Sequence, residues 1–122
     1  QLYLKDSWVL PDPLADDVAR GRYLVEGLGH CSECHTPRDL IGGLERDDWM
    51  QGAPNPSGKG RIPAISPDKL DWTREDIAYY LETGFTPDFD SAGGHMAKVV
   101  GNMGRLPASD RAAIAAYLKA IP

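Results

Sequence analysis

No hydrophobic run in this sequence approaches the length of a membrane span, so no transmembrane helix is expected in it. Cysteine is scarce at 2 residues in 122, which excludes the multi-disulfide framework of small secreted scaffolds. Leu, Ile, Val and Phe together number only 25, about a fifth of the chain, which borders on the range where a polypeptide struggles to build its own core. Alternating β-branched runs are missing too, and with 10 prolines and 13 glycines marking many turns, the expected class is all-α with long loops. Basic residues are outnumbered, 13 Lys and Arg against 18 Asp and Glu, for a net charge of −5. The cations are scattered rather than clustered, which argues against a nucleic-acid partner, since phosphate binding needs a basic face. The sequence begins without Met and shows no signal peptide.

What is present is the stretch Cys31-Ser32-Glu33-Cys34-His35. Two thiols three positions apart can add to the two vinyl groups of one porphyrin, and the adjacent histidine then offers an imidazole nitrogen to the iron. This spacing reads as covalent attachment of haem c. A redox dithiol would also use Cys-x-x-Cys, but it expects a flanking βαβ pattern that is not found here. A zinc site wants four ligands, and no second Cys or His pair stands at a fitting spacing. The chain has the size of one ordinary domain and the motif does not repeat, so residues 1–122 are expected to form a single domain around one haem. Residues 1–11 lack periodicity and read as a strap or linker, and a longer chain with a further haem domain is compatible with this. A buried macrocycle would also supply the missing apolar bulk. Haem is joined to cysteine on the exported side of the bacterial membrane, which makes the expected location periplasmic, with an export signal removed or lying outside this sequence.

Helical periodicity surrounds the motif. Asp12 and Pro13 resemble a helix start, and Leu14, Val18, Gly21, Leu24, Val25 and Leu28 follow on one face, with Gly21 admitting a second helix and Gly27 and Gly29 ending the run. A short helix is possible over 44–51. Thr73 with Asp76 forms a capping-box pattern before Ile77, Tyr80 and Leu81, and Gly84 stops that helix. Another short helix is possible over 96–100. An alanine-rich helix over 108–120 presents Ile114, Tyr117 and Leu118, with Ile121 beyond, and is expected to pack on the Gly21 face.

His35 is the expected proximal iron ligand, its other ring nitrogen donating to a carbonyl. The opposite ligand is to be found among Met50, Met96, Met103, His30 and His95. A thioether there would raise the potential relative to a second imidazole. Arg38, Arg61, Trp49 and Trp72 are candidates to meet the haem propionates, which need charged or N–H donors when desolvated. Trp72 also reads as a core aromatic ahead of the middle helix. The acidic residues between Glu45 and Asp76 read as caps and solvated faces.

The succession of N-terminal helix, Cys-x-x-Cys-His turn, middle helix, methionine-bearing loop and C-terminal helix with Tyr117-Leu118 resembles a class I cytochrome c. More narrowly, the stretch 21–38, Pro67-Asp68, Trp72, Asp76-Ile77, Thr86-Pro87-Asp88, Gly94, Met96-Ala97, Val99-Val100 and 115–122 resemble the haem domains of bacterial alcohol and sugar-acid dehydrogenase cytochrome subunits and related diheme cytochromes. Pro107 departs from that pattern, where a Thr or Ser cap is usual. The resemblance implies the cytochrome c fold, Met96 as the axial methionine with Met103 as runner-up, and Pro63 as the carbonyl facing His35. It implies a carrier of single electrons between redox proteins, such as a dehydrogenase, another cytochrome or a terminal oxidase, and not itself an enzyme. The competing reading is a haem enzyme or gas sensor with an open or labile sixth iron position.

Overall fold

The structure, a computed structural model, describes Val9, Leu10 and residues 12–122. The expected strap over 1–11 therefore falls, apart from Val9 and Leu10, outside the described residues; those two are half-buried against the core. The described chain is mostly helical: α1 (Asp16–Tyr23), α2 (Cys31–His35), α3 (Arg74–Thr83), α4 (His95–Met103) and α5 (Ala108–Ala120). A short antiparallel hairpin of β1 (Ala53–Pro54) and β2 (Arg61–Ile62) pairs Ala53 with Ile62 and Pro54 with Arg61. This architecture is compatible with a cytochrome c fold. Among the described residues, no helix is long and apolar enough to cross a membrane.

The crossing of α1 and α5 is the centre of the fold. A Cβ built on Gly21 would lie 2.0 Å from the Ala113 carbonyl oxygen and 2.7 Å from Cβ of Tyr117, so the helices touch backbone to backbone there. On α5 the buried residues Ile114, Ala115, Ala116, Tyr117 and Leu118 meet Val18, Leu24 and Val25, and Ile77 and Leu81 of α3 close the same core. Outside the core, Arg20 on α1 grips Asp110 in the first turn of α5 through two bonds, Nε to Oδ1 at 3.1 Å and Nη2 to Oδ2 at 3.2 Å. The guanidinium holds the Asp110 carboxyl below its usual range. Pro107 precedes α5 without a side-chain cap.

Three expectations are corrected. Asp12 does not start a helix: α1 begins at Asp16 behind Ala15, and the Asp12 carboxylate instead accepts from Nη2 of Arg22 at 3.0 Å. Leu28 leaves the buried face, because α1 runs into a π turn over Leu24–Leu28, closed by the Gly29 amide on the Leu24 carbonyl. The extra residue in that turn shifts the phase of the helix, burying Leu24 and Val25 and turning Leu28 out to 68% exposure. Third, the possible helix over 44–51 is only a 3-10 turn, Arg46–Asp48. Its flanking backbone donors are taken from elsewhere in the chain, Glu45 by the Pro37 carbonyl at 2.8 Å and Met50 by Thr36 Oγ1 at 2.9 Å, while Asp48 and Gln51 bond only three residues back, so the ladder stops at a single turn. The helix at 96–100, by contrast, proves longer than expected, running as α4 from His95 to Met103.

The capping box at α3 is complete. Thr73 Oγ1 accepts from the Asp76 amide and Asp76 Oδ2 from the Thr73 amide, each at 3.0 Å, while Gly84 ends the helix at φ 82°. Thr73→Ala should cost about 1 kcal/mol in unfolding free energy by urea titration. A loss below about 0.3 kcal/mol would show that this cap does not contribute.

Candidate haem-attachment site

The π turn ends at Gly29, where a Cβ would meet the Leu24 carbonyl oxygen at 2.8 Å and the Cys31 sulfur at 3.5 Å. His30 follows in the left-handed region at φ 51°, and the chain then enters α2, a single helical turn. Cys31, Cys34 and His35 stand at i, i+3 and i+4, so all three side chains leave from one side of that turn. Both cysteines are free; Cys31 is half-buried, Cys34 is exposed, and His35 is buried.

His35 is fixed from behind. Its Nδ1 lies 2.7 Å from the Pro63 carbonyl oxygen, which makes Nδ1 the protonated nitrogen and leaves the Nε2 lone pair for an incoming ligand. The hairpin places that carbonyl: Pro63 follows β2, and Gly52, just before β1, ties the hairpin to the motif through its bond to the His35 carbonyl. Only glycine suits position 52, at φ +87° with a would-be Cβ 2.7 Å from the Ile62 carbonyl oxygen. Burial holds the His35 imidazole below its ordinary pKa, with the Pro63 carbonyl acting the other way, so the ring is neutral near pH 7. Burial also pushes the Cys31 thiol up to about 11.

Behind the motif lies a buried network that spans three parts of the chain. Trp49 Nε1 donates to the Tyr117 hydroxyl at 3.1 Å, and that hydroxyl donates to Glu26 Oε2 at 2.5 Å. Burial, then Glu26, pushes the Tyr117 phenol far above its ordinary value and keeps it protonated. Trp49 thus spends its N–H on Tyr117. The sequence held two signals for this: a tyrosine on the buried face of α5 needs a partner for its hydroxyl, and Glu26 interrupts an apolar stretch.

The other expected site residues are more dispersed. Arg38 is exposed and ties its own loop, donating to the Gly42 carbonyl at 2.7 Å and to Glu33 Oε1 at 3.0 Å. Arg61 is exposed on β2. Trp72 is half-buried, packed against the core and edge-on to Tyr80 at 5.3 Å between centroids. Met50 is wholly buried in the core. Met96 stands half-buried in the first turn of α4 and Met103 two turns later on the same face, where Met103 packs on the core. His30 and His95 are exposed.

This donor set fits a c-type haem. Two unpaired thiols and a neutral, oriented imidazole share one helical turn, and the exposed aliphatic side chains of Leu28, Leu40 and Ile41 lie close to them in sequence. No cluster of three His, Cys, Asp or Glu that could hold a bare metal ion occurs among the described residues.

Known proteins are similar to this chain in sequence. A diheme cytochrome c-type protein of Cereibacter sphaeroides is 60% identical over 116 residues, covering 95% of this chain and 39% of the relative. The chain is homologous to c-type cytochromes. The fructose dehydrogenase cytochrome subunit of Gluconobacter japonicus is 36% identical across 88% of this chain and 22% of its own length. The gluconate 2-dehydrogenase cytochrome c subunit of Pantoea cypripedii is 35% identical across 85% of the chain and 26% of its own length. The c-type cytochrome homology therefore extends over nearly all of this chain, which spans well under half of the curated relatives it matches. No protein-family model matches the chain.

Proposed function

We propose that this chain is a monohaem electron-carrying unit of the bacterial periplasm, passing single electrons between a dehydrogenase and a further redox protein. The observation that carries the reading is the His35 Nδ1 bond to Pro63 beside two free thiols on one turn. When bound, haem c supplies a one-electron Fe(II)/Fe(III) couple. Cys31 and Cys34 would hold it by thioether links, and Nε2 of His35, whose ring the Pro63 carbonyl orients, would ligate the iron. Met96, at the start of α4, would supply a thioether as the second iron ligand, and Arg38, Arg61 and Trp72 are the donors assigned to the propionates. Trp49 and Met50, buried at 4% and 0% exposure, keep water from the back of the motif. The single Cys-x-x-Cys-His stretch assigns one haem to this length of chain, and a relative named as diheme, of which the chain spans 39%, fits a second haem carried elsewhere in a longer protein.

Acid-organic extraction of the denatured protein tests the attachment. Haem should stay with the polypeptide at one per chain, and in Cys34→Ala one of the two thioether links should be lost, shifting the alkaline pyridine haemochrome band to longer wavelength. Free extraction from the unaltered chain would overturn the covalent reading.

A further inference from the structure

Away from the Cys31–His35 turn, α3 and the turn that follows it frame a groove of about 440 Å³ lined by Asp76, Tyr79, Phe85, Thr86, Pro87 and Phe89. Tyr79 belongs to the opposite side of α3 from Ile77 and Leu81, which enter the core. Three aromatic rings stand open in it, Tyr79 at 54%, Phe85 at 51% and Phe89 at 96% exposure. Burial does not hold them there; backbone bonding does. Thr86 donates to the Asp90 carbonyl at 2.9 Å, Phe89 to the Thr86 carbonyl at 3.1 Å, and the Asp90 amide to Thr86 Oγ1 at 3.0 Å. Phe89 sits at φ +66°, a conformation that a bulky residue enters only at a cost. Glycine or asparagine would occupy this position more easily, so the ring, strained and almost fully in water, contributes nothing to folding that would explain it.

We propose that this groove is a docking site for a cationic side chain, an arginine or lysine, on the surface of a partner protein. The chemistry of the lining selects charge. Among the described residues, Asp76 is the one acidic side chain lining the groove, its Oδ2 already accepting from the Thr73 amide, and Asp88 and Asp90 flank Phe89. Among the described residues, neither lysine nor arginine is part of the lining. An anion would meet these carboxylates and the negative faces of the rings, and a purely apolar ligand would desolvate the Asp76 charge with only the Thr73 amide to offset it. A cation satisfies both, over the ring faces and beside the carboxylate. The molecule already uses such pairs, with the Arg20 guanidinium 5.5 Å from the Tyr23 centroid and that of Arg46 5.3 Å from Trp49. The occupant is assigned to a protein because the rings splay outward: a small free cation would leave most of Phe89 in water, whereas a side chain rooted in a wider surface brings neighbours to cover it. This surface does not depend on the haem reading, since none of its residues belongs to that site.

The test follows backbone amide shifts of the holo-protein during titration with acetyl-Leu-Arg-Leu-amide, the same peptide with citrulline in place of arginine, and tetramethylammonium chloride. The arginine peptide should give saturable shifts centred on residues 76–90, with the citrulline peptide about fivefold to tenfold weaker. Phe89→Leu, which keeps apolar bulk but removes the ring, should weaken the arginine peptide several-fold while leaving the haem absorption spectrum unchanged, and Tyr79→Leu should do the same. Equal binding of the citrulline peptide, or shifts spread over other acidic surfaces, or no loss in either variant, would overturn the cation site. Tetramethylammonium binding as tightly as the arginine peptide would overturn its assignment to a protein partner.

Discussion

Gly21→Val should abolish the compact native state, or leave it destabilised by more than about 3 kcal/mol, because no relaxation of a side chain can make room for the new atoms. The first Cβ alone would fall 2.0 Å from a carbonyl oxygen of α5, which is backbone and cannot rotate away. Relief requires α1 and α5 to separate, and separation uncovers Val18, Val25, Ala115 and Tyr117 together. It also strains the Arg20–Asp110 bridge and the link from Tyr117 to Glu26, both of which span the crossing. Thermal melts followed by helical circular dichroism measure this directly, with Gly101→Val as the control. Gly101 has nothing within 4 Å of its would-be Cβ, and valine is a better helix former than glycine, so that change should be neutral or slightly stabilising. Equal melting of the two variants would show that the crossing tolerates separation and is not what closes the fold.

That crossing was legible in the sequence because it rests on a local rule: a glycine at helical spacing on an apolar face admits a second helix, and an alanine-rich helix was at hand. The capping box of α3 was legible for the same reason, since Thr73 and Asp76 satisfy each other within one turn. What was not legible depended on partners distant in the chain. The π turn cannot be seen in the apolar pattern of Leu24, Val25 and Leu28, which fits an ordinary helix equally well. Residues 44–51 have helical composition, yet Thr36 claims the Met50 amide from 14 positions away and the Pro37 carbonyl claims that of Glu45. Trp49 likewise reads as a free N–H donor until Tyr117 is seen beside it. The motif itself was legible because its chemistry needs three residues at fixed spacing, whereas propionate donors need only be somewhere near, and Arg38 and Arg61 carry no spacing that would mark them.

Met96→Ala is expected to change the iron, and Met103→Ala to change only the protein. The two methionines occupy one face of α4 a helical distance of about 10 Å apart, so only one can reach a given iron. Met103 is packed on the core, and its carbonyl accepts from Nη1 of Arg111 at 3.1 Å, which fixes the end of the helix that carries it. A side chain packed there is core material, and truncating it should cost about 2 kcal/mol of stability with the haem spectrum intact. Met96 lies at the other end of α4, half-buried, just after Gly94 at φ +56°. Loss of its thioether should remove the long-wavelength sulfur-to-iron absorption band, lower the reduction potential, and open the iron to added carbon monoxide or cyanide. Should these three changes follow Met103→Ala instead, the roles are exchanged and Met96 is the packing residue. If neither variant alters them, a histidine, His30 or His95, holds the sixth position, and the protein should work at a low potential with correspondingly more reducing partners.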